Sequence, residues 1–166
     1  PLGINIPNYD DIRQEDGFKN VHLGNCILTL KKVNFLDKKL ADILLQHHRT
    51  ILFFKVAYHE LLGHGCGKLF MEDKNGKKNF DENLINPITK AKIDSWYKPE
   101  ETWGSVFGKM SNPYEECRAD SVALYYSCFE EAFDVLLPEC KSIWKELTAG
   151  CFAEFLMQGI NALEYY

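Results

Sequence analysis

The 166 residues are 46% hydrophobic and 13% aromatic, which suits one packed, single domain and excludes a disordered tail. With 19 basic against 24 acidic residues the net charge is −5 and no basic block stands out, so nucleic acid is excluded as a partner class. No run approaches the ~18 apolar residues of a membrane span, the first residues lack a signal-peptide layout, and the six cysteines form no C-x-x-C pair, reading as reduced thiols of an intracellular protein.

In chain order, residues 3 to 11 alternate apolar and polar side chains as far as Pro7, which predicts a short edge strand and then a turn. Such an edge is either purely structural or a template for an extended peptide. Residues 21 to 36 are too mixed to type. Asp37 is a predicted N-cap, followed by Leu40, Ile43, Leu44 and His47 at helical spacing. Adjacent His47 and His48 diverge by about 100° on a helix and read as packing or surface residues. Ile51 to Tyr58 is apolar on nearly every side and predicts a buried helix.

That helix runs into His59-Glu60-Leu61-Leu62-Gly63-His64. Two imidazoles with a carboxylate after the first suggest a zinc hydrolase site, with Glu60 as general base. The common signature H-E-x-x-H sets its histidines four apart, whereas these are five apart. A step of five on a regular helix turns the second side chain about 140° from the first. Both reach one metal only if an extra residue is absorbed, as a π-bulge or a loosened last turn, which Gly63 and Gly65 would ease. The alternative is a buried helix with a glycine-rich C-cap and two core histidines.

Residues 68 to 111 read as an excursion, with turns at Asn75-Gly76 and Asn86-Pro87. Its aromatics Trp96, Tyr97, Trp103 and Phe107 either wall a cleft or pack the loop against the body. Asn112-Pro113-Tyr114-Glu115 then predicts a helix start, with Asn112 as N-cap and Glu115 as the return half of a capping box. Glu116 and Asp120 share a face continued by apolar Leu124 and Cys128, so they need a partner, either a metal or Arg118 or a lysine. From Ser142 onward, Ile143, Leu147, Cys151, Phe155, Ile160 and Leu163 outline a last buried helix, thinned or broken at Gly150 and Gly159. Its apolar pattern runs to the end without a C-cap, as expected of an excerpt from a longer protein.

With H-E-L-L-G-H and the following Gly65-Cys66-Gly67-Lys68, E-E-C-R-A-D at 115–120, and the segments G-I-N-I-P-N-Y-D-D, S-W-Y and E-T-W, the chain resembles the dipeptidyl peptidase III family. The resemblance implies a mainly α fold: a helix-rich catalytic lobe with long loops and a short edge strand near the N-terminus, the rest of a longer enzyme supplying a second lobe across a cleft. It implies a cytoplasmic zinc exopeptidase that releases dipeptides from short peptides with a free N-terminus, with no nucleic acid or membrane as partner. It assigns one Zn2+ to His59, His64 and Glu116, acid/base catalysis to Glu60, positions behind the ligand histidines to Glu115 and Asp120, and the substrate's amino group to Asn5 and Asn8. Asp120 is one methylene shorter than the family's usual Glu, which implies a lengthened or water-bridged hydrogen bond. Gly104 stands where some relatives carry Asp, implying a weaker preference for basic substrate side chains. Cys66 is expected to be a small packing residue rather than a competing ligand. The competing reading is a zinc-holding helical module without activity as an isolated chain.

Overall fold

The computed structural model describes residues 35–65 and 67–163, together with the backbone of two strands nearer the N-terminus. The strands are β1, Gly3–Asn5, and β2, Asn20–His22, paired antiparallel with Ile4 opposite Val21. The helices are α1 (Lys38–Tyr58), α2 (Trp103–Phe107), α3 (Ser111–Tyr126), α4 (Glu130–Leu136) and α5 (Trp144–Ala162). The chain is mainly α, as the family resemblance implies.

Asp37 caps α1, its carboxylate accepting from the Lys39 and Leu40 amides at 2.9 and 3.2 Å. The expected apolar stretch is the buried end of this helix. Ile51, Leu52, Phe54, Val56, Ala57 and Tyr58 are all buried there, which makes α1 the axis of the core. Phe54 stacks on Phe133 of α4 with ring centroids 4.0 Å apart, and the Tyr58 hydroxyl donates to the Ala132 carbonyl at 2.8 Å. These contacts pin α4 across the last turns of α1.

Helix α5 packs along α1, its Leu147 and Cys151 in the same buried cluster as Phe54 and Phe133. It is continuous through Gly150, not broken there. A Cβ at Gly150 would lie 2.3 Å from Ile51 Cδ1, so the glycine leaves room for the Ile51 side chain of the facing helix. Ile160 near the end of α5 and Leu163 just past it are exposed rather than buried.

Residues 67–102 form no helix and are held by isolated bridges. Both predicted turns are present. Asp73 N–H donates to the Lys77 carbonyl around Asn75-Gly76, where Gly76 has φ +78°, and Asn86 closes the second with Lys90 and Ala91. The aromatics divide into two groups. Phe70, Phe80 and Trp96 pack the loop on itself, with the Lys78 and Lys98 ammonium groups 4.0 and 4.2 Å from the Trp96 ring centroid. Trp103, Phe107 and Tyr114 join α2 to the start of α3. Among the described residues no helix is long and apolar enough to cross a membrane.

Candidate metal centre

The extra residue between the two histidines is absorbed in the backbone. Helix α1 passes at Tyr58 into a π-helical turn, His59–Gly63, closed by the His64 N–H donating to the His59 carbonyl at 2.9 Å. An i to i+5 bond returns residue 64 above residue 59, which a regular helix cannot do. The two rings consequently meet edge to face, with centroids 4.7 Å apart and planes at 88°.

The π turn seats directly on α3. A Cβ at Gly63 would lie 2.7 Å from Ala119 Cα, so glycine here permits backbone contact between the two elements. Ala119 is itself fully buried, and with Ala123 it forms the inward face of α3.

Around this contact, α3 presents three carboxylates to two imidazoles. His59 Nδ1 lies 2.9 Å from Asp120 Oδ1, and His64 Nδ1 lies 3.0 Å from Glu115 Oε1. The opposite nitrogens face the third carboxylate: His59 Nε2 is 3.3 Å from Glu116 Oε2 and His64 Nε2 is 3.7 Å from Glu116 Oε1. Each ring therefore leans one nitrogen on a carboxylate and turns the other toward a common point, the usual arrangement of metal-binding histidines. One ligand atom each from His59, His64 and Glu116 lie within 4.8 Å of one another. Two nitrogens and one oxygen are a donor set that suits zinc and leaves a tetrahedral position open.

The environments of these groups differ. His64 is buried, whereas the Glu116 and Asp120 side chains are 56% and 41% exposed. Burial alone would lower the His59 pKa, but the Asp120 hydrogen bond and the charges of Asp120, Glu116 and Glu60 outweigh it, and the net shift is upward. Glu60, a residue of the π turn, is buried at 6% exposed.

Several expectations are corrected. Helix α3 begins at Ser111 after Met110, continuing a 3-10 turn over Gly108–Met110, so Asn112 is not its N-cap. Glu115 is accordingly not part of a capping box, and its carboxylate bonds His64 and Arg118 instead. Glu116 and Asp120 do not lie on a buried apolar face, since the buried stripe of α3 is Ala119 and Ala123 and Cys128 is exposed. The shorter Asp120 bonds His59 directly, without lengthening or a water, because seating the π turn on Ala119 brings the ring close to α3. Arg118 pairs with Glu115 rather than with Glu116 or Asp120. Its i,i+3 spacing from Glu115 was the available signal. Asn5 belongs to β1, whose backbone alone is described, and Asn8 and Cys66 lie outside the described residues.

The model of peptidase family M49 matches residues 1–166. The chain belongs to peptidase family M49. Among M49 relatives, it is 49% identical to dipeptidyl peptidase 3 of Rattus norvegicus over 172 aligned positions and 46% identical to that of Nematostella vectensis over 170. The Mus musculus protein of the same name is 41% identical over 172 positions. Each alignment covers 100% of the chain but 23% of the relative, so the chain spans about a quarter of the length of the M49 proteins it matches.

Proposed function

We propose that this segment carries the zinc ligands and the acid/base residue of an exopeptidase that releases dipeptides from the amino end of short peptides. The convergence of His59, His64 and Glu116 at the π turn supports this reading most strongly. The names of the 41 to 49% identical relatives support dipeptide release. Zinc held by those three residues would polarise the scissile carbonyl and lower the pKa of water.

The chain's own groups supply the remainder. Asp120 and Glu115 accept the Nδ1–H groups of His59 and His64, which fixes the tautomer that leaves Nε2 free to ligate and holds the orientation of both rings. Glu60 takes a proton from the attacking water as it adds to the carbonyl, and returns it to the leaving amine. Its burial keeps that carboxylate away from bulk solvent.

Asn5 and Asn8 hold the substrate's free ammonium. Two extended residues at ~3.3 Å each then set the second peptide bond at the reaction centre. The packing of β2 against the π turn supports an extended substrate running beside the histidines. The rest of a longer, cytoplasmic enzyme supplies a second lobe that closes the cleft. The test is product analysis by mass spectrometry with the full-length protein and peptides whose amino ends are free or acetylated. Dipeptides from free peptides alone, with turnover reduced about 10²–10⁴-fold in Glu60→Gln, are expected. Cleavage of acetylated peptides at internal bonds would contradict the exopeptidase reading.

A further inference from the structure

Behind His64 stands a second contact that the metal ligands do not account for. Glu115, whose side chain is 13% exposed, accepts from Arg118 Nε at Oε2 (2.9 Å) and from Arg118 Nη2 at Oε1 (2.7 Å). Its Oε1 also lies 3.0 Å from His64 Nδ1. The guanidinium thus grips the carboxylate with two parallel bonds, a geometry that fixes its plane as well as its charge.

The other histidine is supported differently. Asp120 behind His59 is 41% exposed, so water can solvate its outer oxygen. Glu115 is more enclosed, its side chain 13% exposed. Burying its charge requires a nearby cation with matching hydrogen bonds, and Arg118 provides both from one turn along the same helix.

We propose that Arg118 is a positioning residue for His64: by clamping Glu115 it fixes the ring whose Nε2 faces Glu116, and so sets metal affinity without touching the metal. This rests on the zinc reading given above. It also predicts that lysine cannot replace Arg118, because an ammonium supplies charge but not the two-pronged grip.

The experiment measures zinc affinity of the full-length protein by competition with a chromophoric chelator, alongside the melting temperature of the metal-free protein. The set comprises the parent, Arg118→Met, Arg118→Lys, Glu115→Ala and the double variant Arg118→Met/Glu115→Ala. Arg118→Met should weaken zinc binding about 10-fold, at the lower end of the effect of residues that support a ligand histidine. Arg118→Lys should recover only a minor part of that loss. In the Glu115→Ala background, Arg118→Met should change affinity no further, since the link from Arg118 to His64 runs through that carboxylate.

Parent-like affinity in Arg118→Met, or an equal loss with and without Glu115, would overturn the inference while leaving the zinc reading intact. Full recovery in Arg118→Lys would overturn the two-pronged grip. Absence of zinc binding by the parent would overturn the zinc reading, and the role of Arg118 with it. A fall in metal-free melting temperature that fully accounts for the lost affinity in both Arg118 variants would also overturn it, by making the residue merely structural.

Discussion

Two polar groups, at Lys55 of α1 and at His59 in the π turn that follows, lie about one turn apart and are completed in opposite ways. Lys55 and Glu154, 5% and 3% exposed, meet at 2.7 Å inside the core. Gln158 accepts a second bond from the ammonium at 2.6 Å, and the Phe155 ring centroid lies 4.3 Å away. That group is closed, with its opposite charges spent on each other. The histidine group instead crosses to α3 and reaches solvent through Glu116 and Asp120. Two imidazole nitrogens and a carboxylate remain directed at one point. A closed pair holds the packing of α1 on α5, whereas an open cluster is built to take a ligand.

The largest effect should come from opening the closed pair. Lys55→Met leaves Glu154 as an uncompensated buried charge and should cost about 3–5 kcal/mol, read from the urea midpoint of the full-length protein. Adding Glu154→Leu should restore most of that loss, because an apolar pair of similar volume often replaces a buried ion pair at little cost. A double variant as unstable as the single one would show that these residues do more than satisfy each other.

Next in size is Gly63→Ala. Its Cβ would lie 2.7 Å from Ala119 Cα, in a position that only a shift of backbone can relieve. The expected cost is about 1–3 kcal/mol of stability. Zinc content should fall too, because α3 carries Glu115, Glu116 and Asp120 away from the histidines as it moves. Unchanged stability and zinc content together would mean that the π turn does not seat on α3.

A smaller effect is expected at the exposed edge of the open cluster. Asp120→Asn removes the carboxylate behind His59 and should weaken zinc binding about 10–100-fold. The melting temperature of the metal-free protein should barely move, since that side chain is substantially exposed. Destabilisation of the metal-free protein with normal zinc affinity would reverse the roles assigned to the two groups.

The smallest perturbation uses the thiols. Burial pushes the Cys151 pKa up to about 12, with Lys55 pulling weakly the other way. The thiolate is the reactive form, so at about pH 8 Cys151 should resist alkylation in the folded protein. Exposed Cys117 and Cys128 should react. Mass spectrometry of peptides after brief labelling checks the difference, and rapid labelling of Cys151 would show that the core beside Lys55 is open.

The open cluster was far more legible in the sequence than the closed one. His59, Glu60 and His64 announce themselves within six residues, and the five-residue step calls for an absorbed residue, as a π turn or a loosened last turn, of which the π turn is present. Lys55 and Glu154 are 99 residues apart, and no local pattern links them. The Asp37 cap could be read because it depends only on the next three residues. The Asn112 cap failed because α3 grows out of a preceding 3-10 turn, and Glu115 finds partners in His64 and Arg118. Gly150 similarly looked like a helix breaker, although α5 runs through it and its missing Cβ leaves room for Ile51 on the facing helix. Local chemistry was visible, while choices made by distant contacts were not.

The central claim is that His59, His64 and Glu116 form one three-ligand zinc site. Elemental analysis of the purified full-length protein beside Glu116→Ala tests it most directly. About one zinc per chain in the parent and far less in the variant is the predicted result. A folded parent that takes up no zinc after reconstitution, or a variant that retains it fully, would contradict the account.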